Sequence, residues 1–204
     1  GTEVVALAPT SLLLRRGLVT AVVGPSGVGK STLLAALQGF VAPSSGAIRV
    51  GGTDLATLAP EAWRSRVAVV SQDPVLLGPT VADDVRLRRP DASDAEVDTA
   101  LRSAGIDPAT LPDGARTRVG DLASDVSAGQ RRRIALARVM LEPAPLVLLD
   151  EPTAGLDDAT EADVVATVRT LADAGSAVLV VAHRPSLVAG ADDVVELVPV
   201  GVGA

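Results

Sequence analysis

The stretch VTAVVGPSGVGKSTLLAALQ, residues 19–38, decides the fold. Its first five residues are apolar or β-branched and carry no charge, the composition of a strand buried on both faces. Next, GPSGVGKS (24–31) fits the pattern G-x-x-x-x-G-K-[ST] and opens the helix STLLAALQ. That strand–loop–helix setting is the one in which the pattern binds phosphate. Its glycines let the backbone curl so that N–H groups point inward at an anion. The helix N-terminus adds partial positive charge, and Lys30 reaches the outer phosphates. Gly24, Pro25, Ser26, Gly27, Val28, Gly29, Lys30, Ser31 and Thr32 are therefore candidate nucleotide-phosphate-binding residues, with the Ser31 hydroxyl placed to ligate Mg²⁺.

Outward from this loop, the composition narrows the function classes. The chain has 204 residues, 48% of them hydrophobic, yet its only aromatics are Phe40 and Trp63, so an aliphatic core is expected. Lys30 is the only lysine and His183 the only histidine. A compact ammonium inside a loop of backbone amides is poorly replaced by the rigid arginine fork. The net charge of −7 and pI near 4.7 argue against nucleic acid as a partner, since duplex binders carry a basic footprint. With no cysteine, neither a disulfide framework nor thiolate metal ligation is available. No apolar run approaches the roughly 20 residues that span a bilayer. No signal peptide is visible, and the chain does not begin with Met. The expectation is a soluble, cytosol-facing piece of a longer polypeptide.

Short apolar runs recur at VTAVVG (19–24), RVAVVSQ (66–72), LVLLDE (146–151), AVLVVAH (177–183) and DVVELV (193–198). They read as buried strands of a mostly parallel sheet. Helical patterns occupy 30–39, 128–141 and 158–174, and this alternation predicts an α/β fold with ligands at the carboxyl ends of the strands. Residues 73 to about 142 hold no clear strand, and SDAEVDTALRSAG (93–105) begins with a capping-box pattern of Ser93 and Glu96. This predicts a mainly helical insertion.

A second constellation lies in LVLLDEPTAGLD (146–157). Two adjacent carboxylates at the end of a buried strand are costly unless a cation meets them. Asp150 is expected to hold Mg²⁺ and Glu151 to polarise the water that attacks a γ-phosphate, the Walker B arrangement of an ATPase. His183 ends the run AVLVVAH, predicted to lie beside the Walker B strand, so it should reach the γ-phosphate. Gln72 ends RVAVVSQ with an amide able to touch both Mg²⁺ and the attacking water. Glu151, His183 and Gln72 form the candidate catalytic set, and Ser31, Gln72 and Asp150 the candidate metal set.

Taken together, these motifs resemble those of the ATP-binding cassette (ABC) ATPases over essentially the whole chain. VSAGQRRRIALAR (126–138) is similar to the family's signature motif, usually L-S-G-G-Q, and the helix after it. Gln72 matches the Q-loop, AGLD (154–157) with Asp157 the D-loop, and His183 the switch histidine. The resemblance implies a P-loop NTPase fold with an N-terminal antiparallel β part. It divides the chain into residues 1–72 (first part of the core), 73–142 (helical subdomain) and 143–204 (second part of the core). It also implies that two such domains sandwich two ATP molecules head to tail. Ser127, Ala128, Gly129 and Gln130 would then face the partner's ATP, with Ala128 standing where glycine is usual. Arg131, Arg132 and Arg133 are expected as helix-surface residues, because consecutive helix positions project about 100° apart and cannot form one basic face.

QDPVLLGPTVADDV (72–85) resembles the Q-loop continuation of ABC exporters, and TRVGDLAS (117–124) their X-loop, with Asp121 for Glu and Ala123 for Gly. These imply an exporter's transmembrane domains as partners, while the P-loop and Walker B residues imply ATP and Mg²⁺ as cofactors. A second ABC ATPase domain, in a heterodimer, is also implied, as is a place at the cytoplasmic face of the cell membrane. The wording of GPSGVGKSTLLAALQGF and VSAGQRRRIALARVML is similar to subunits of the CydDC type, exporters of cytochrome bd assembly. The family's adenine-stacking aromatic has no counterpart upstream of the P-loop here and is expected before residue 1. The alternative readings are a soluble ABC ATPase of DNA repair or translation, and a regulatory cassette without turnover. The first lacks its usual second cassette or long insertion here, and Glu151 and His183 argue against the second.

Overall fold

The computed structural model describes residues 7–119, 126–154 and 158–199. In chain order the elements begin with β1 (Val19–Val23), α1 (Lys30–Leu37), β2 (Arg49–Val50), β3 (Thr53–Asp54), α2 (Pro60–Arg64) and β4 (Val67–Val70). There follow α3 (Val81–Val85), α4 (Asp94–Ser103), α5 (Ala128–Leu141), β5 (Leu146–Asp150), α6 (Asp158–Asp173), β6 (Ala177–Val181), α7 (Pro185–Ala189) and β7 (Asp193–Glu196). The five predicted strands form one sheet in the order β4–β5–β6–β1–β7, with every neighbouring pair parallel. β2 and β3 form a separate antiparallel pair. This is the α/β architecture the sequence predicts.

Side chains along a strand alternate between faces, and here both faces are covered. On one face Val147 and Leu149 of β5 and Val178 and Val180 of β6 pack with Ile134, Leu136 and Val139 of α5 and with Val164, Val168 and Leu171 of α6. On the other, Leu146 and Leu148 of β5 and Leu179 and Val181 of β6 meet Leu33, Leu34 and Leu37 of α1. Burying each such Leu contributes roughly 1.5–3 kcal/mol, which explains why these strands read as continuous apolar runs. The core is aliphatic with one exception: Trp63 of α2 is buried and its indole N–H donates to the Leu37 carbonyl at 2.8 Å, pinning the end of α1. Phe40 is exposed, with the Arg64 guanidinium 5.3 Å above its ring.

Between β4 and β5 the described residues are mainly helical, and their only β-pairing is an isolated bridge between Thr80 and Arg118. The predicted capping box is present: Ser93 Oγ accepts from the Glu96 amide, and Glu96 accepts from the Ser93 amide. α3 and α5 are joined by a buried ion pair. Asp84, with no exposed surface, accepts from Arg138 and from the amides of Leu77 (2.7 Å) and Gly78 (3.2 Å). Gly78 permits this close approach, because a Cβ there would lie 2.3 Å from the Asp84 amide nitrogen.

Candidate nucleotide site

At the carboxyl end of β1 the chain turns through Gly24 (φ 151°), Gly27 (φ 77°) and Gly29 (φ 107°) before α1 begins. These positive φ values favour glycine. At Gly24 a Cβ would also press within 2.9 Å of the Leu197 carbonyl. Lys30, buried at the first position of α1, donates to the carbonyls of Gly24 (2.7 Å) and Pro25 (3.0 Å). No side chain caps the start of α1, so its first amides keep their capacity for an anion.

β5 supplies the acidic side. Asp150 is its last residue, and Glu151 follows in the left-handed region at φ 48°. For a non-glycine residue this conformation costs on the order of 1 kcal/mol, and such strain gathers at functional sites. The turn is held at both ends: the Glu151 amide donates to the Val181 carbonyl at 3.2 Å, and its carbonyl accepts from Ala154 at 3.1 Å. His183, two residues beyond β6, places Nε2 2.9 Å from Glu151 Oε1. Burial, then the neighbouring Glu151 charge, push the Asp150 carboxyl above the usual carboxylate range, while Lys30 and His183 pull it down. A cation at Asp150 would relieve that unfavourable charge. Serine hydroxyl, carboxylate and amide oxygens are the hard ligands that suit Mg²⁺, so the residues present fit the ion.

Pro25 to Thr32, Gln72, Asp150, Glu151 and His183 line one cleft of about 690 Å³, together with Pro199, which sequence reasoning missed. Gly24 joins it through the carbonyl that holds Lys30. The four strands that deliver these groups, β4, β5, β6 and β1, are consecutive in the sheet, which is why residues far apart in sequence converge. Ser127, Ala128, Gly129 and Gln130 lie outside this cleft, at the start of α5. There Ser127 and Gln130 form a capping box: Ser127 Oγ accepts from the Gln130 amide (3.1 Å), and the Gln130 side chain accepts from the Ser127 amide (2.7 Å). The Ser127 hydroxyl proton stays free to donate elsewhere. Asp157, Asp121 and Ala123 lie outside the described residues.

The arginine run departs from expectation. Arg131 is exposed and Arg133 half-buried, but Arg132 is only 7% exposed rather than on the helix surface. Steps of about 100° turn one of three consecutive positions inward. Arg132 Nε donates to the Gln72 carbonyl at 2.9 Å, and its Nη1 donates to the Ala154 carbonyl. A second unanticipated group is Glu161 of α6, which accepts from Ser186 and pairs with Arg184, the neighbour of His183, at 3.0 Å.

A parallel sheet whose first strand runs through a glycine loop into a lysine-headed helix defines a P-loop nucleotide-binding protein. The chain belongs to the ABC transporter family, whose model matches residues 7–154. It is 43% identical over 196 residues to the mycobactin import ATP-binding/permease protein IrtB of Mycolicibacterium thermoresistibile, covering 95% of this chain and 34% of that protein. It is 40% identical over 190 residues to human ATP-binding cassette sub-family B member 6, covering 92% and 22%. Its fold superposes on a bacterial Atm1-family ABC exporter with ATP bound at a TM-score of 0.86 and 36% identity, covering 95% of this chain and 34% of that one. The chain thus spans about a third or less of the relatives it matches. No helix among the described residues is long and apolar enough to cross a membrane.

Proposed function

We propose that this chain binds and hydrolyses ATP to drive an exporter through ATP-dependent pairing with a second cassette. The observation that carries the reading is the convergence of Lys30, Ser31, Gln72, Asp150, Glu151 and His183 on one cleft. Amides of residues 24–32 and the Lys30 ammonium take the phosphates, Lys30 exchanging its two carbonyl partners for phosphate oxygens. Ser31, Gln72 and Asp150 hold Mg²⁺, which when bound offsets charge on the β- and γ-phosphate oxygens. The Glu151 carboxylate accepts a hydrogen bond from the attacking water and orients it. His183, whose Nε2 is 2.9 Å from Glu151 Oε1, is read as the group that turns to the γ-phosphate. Ser127 to Gln130 present a helix start and a free hydroxyl to the ATP of the second cassette, and Asp157 is read as the D-loop aspartate.

Residues 73–142 are read as the helical subdomain, with 1–72 and 143–204 as the two parts of the core. The partners are a second ABC ATPase domain, in a heterodimer, and transmembrane domains at the cytoplasmic face of the cell membrane. The name of IrtB carries import and that of the Atm1-family protein export; the exporter reading rests on the Q-loop continuation and X-loop wording. The narrower CydDC-type reading rests on the wording of the P-loop and signature stretches alone.

Lys30 supplies the direct test. An amine-reactive reagent can modify only Lys30 and the N-terminal amine of this chain. Saturating Mg-ATP is expected to slow Lys30 labelling tenfold or more, on the order of the free-site fraction it leaves. Equal labelling of the Lys30 peptide with and without ATP would place the nucleotide elsewhere.

Ala128 makes a smaller prediction. It is exposed, in helical conformation at the first position of α5, and alanine favours helix by roughly 1 kcal/mol over glycine. Ser127 and Gly129 are read as the phosphate contacts. Ala128→Gly is therefore expected to change the ATPase of the assembled pair less than about threefold, roughly 0.7 kcal/mol in barrier. A gain of tenfold or more would mark this signature as degenerate.

A further inference from the structure

Arg132 is a buried cation that the proposed chemistry leaves unused. Removing a charge from water costs several kcal/mol unless close partners offset it. Among the described residues the carboxylate paired with it, Asp73, is 3.9 Å away, and its side chain is 89% exposed, so solvent screens much of that pair. The close partners are two backbone carbonyls, Gln72 O at 2.9 Å and Ala154 O. Those carbonyls belong to different loops. One carries the Gln72 amide into the nucleotide cleft. The other closes the turn that begins at Glu151, whose carbonyl accepts from the Ala154 amide. The guanidinium comes from α5, just past the Ser127–Gln130 cap. Its donors are fixed in one plane, a fork that sets the distance between two acceptors as a flexible ammonium cannot.

We infer that Arg132 is a positioning residue that couples this chain's own nucleotide cleft to its signature helix. Movement of Gln72 toward a bound nucleotide carries its carbonyl, and through Arg132 the start of α5 and the Glu151 turn move with it. The signature offered to the second cassette thereby depends on whether this chain's cleft is filled. This inference rests on the roles proposed above for Gln72 and for the α5 start.

The test uses the full-length protein with its partner cassette, comparing wild type, Arg132→Met, Gln72→Ala and the double variant. Arg132→Met keeps an unbranched apolar stem but removes the charged fork. It is expected to lower kcat about tenfold while KM for ATP stays within about threefold, the signature of an interaction made in the assembled state. In the Gln72→Ala background the same substitution is expected to cost less than about threefold, because coupled residues are not additive. Equal losses in both backgrounds, with Gln72→Ala itself impaired, would show that Arg132 only supports the fold and would overturn the proposal. A silent Gln72→Ala beside an impaired Arg132→Met would instead overturn the role assigned to Gln72, and with it the coupling. Arg132→Lys guards against simple misfolding. It retains the charge and is expected to melt like wild type, yet to lose at least about threefold in kcat because one ammonium does not hold both carbonyls in the fork's geometry. Full activity of Arg132→Lys would overturn the fork's part.

Discussion

Glu151→Gln is expected to retain Mg-ATP while slowing hydrolysis by on the order of 10²-fold or more, the range of lost general-base assistance. Glutamine preserves the volume, and its amide oxygen can face His183 Nε2, which lies 2.9 Å from the Glu151 carboxylate. The backbone contacts to Val181 and Ala154 hold the turn without the side chain. Binding should persist for an electrostatic reason as well. The Glu151 charge is one of the causes that raise the Asp150 carboxyl. Its removal favours the ionised Asp150 that a metal needs. Nucleotide-binding titrations run beside turnover assays, both with the partner cassette, separate the two effects. Turnover within about threefold of wild type would remove Glu151 from the catalytic role.

Asp84→Ala is expected to destabilise the domain by about 3–5 kcal/mol, the cost of stripping one partner from a buried ion pair. The loss falls on several groups at once. Arg138 keeps a largely buried charge without its counter-ion, and the amides of Leu77 and Gly78 lose their acceptor. For a domain of this size the melting temperature should fall by on the order of 10 °C. Asp84→Asn, which still offers an oxygen to the two amides, should fall between the variants. A melt of Asp84→Ala within about 2 °C of wild type would show that the pair contributes little to stability.

The five strands were legible because each is buried on both faces, so a short run of Val and Leu carries the signal without help from alternation. The phosphate loop was legible because its chemistry is local: glycine, lysine and serine at fixed spacing. Gln72, Asp150, Glu151 and His183 could be gathered only because each stands at or within two residues of the end of such a strand, and parallel strands bring their carboxyl ends to one edge. What escaped depends on which way a side chain turns. Three arginines in a row give no hint that the middle one is inward, nor do Asp83 and Asp84, of which only Asp84 is buried. Glu161 escaped because its partners, Arg184 and Ser186, are more than twenty residues away in sequence. The two-residue strands β2 and β3 are too short to display a period. The Ser127–Gln130 box, by contrast, follows the same S-x-x-[EQ] rule that revealed Ser93.

The indole that pins α1 also gives the chain an optical property. With one Trp and no Tyr, its near-ultraviolet emission comes almost entirely from Trp63, a single chromophore whose N–H is bonded to Leu37, the last residue of the helix that Lys30 begins. Emission wavelength and quantum yield respond to that hydrogen bond and to the surrounding packing. If phosphate replaces the two carbonyls on Lys30 as proposed above, any tilt of α1 would be carried about two helical turns to a natural fluorophore. The nucleotide loop is in this sense already wired to a spectrometer, with no dye attached and no residue replaced.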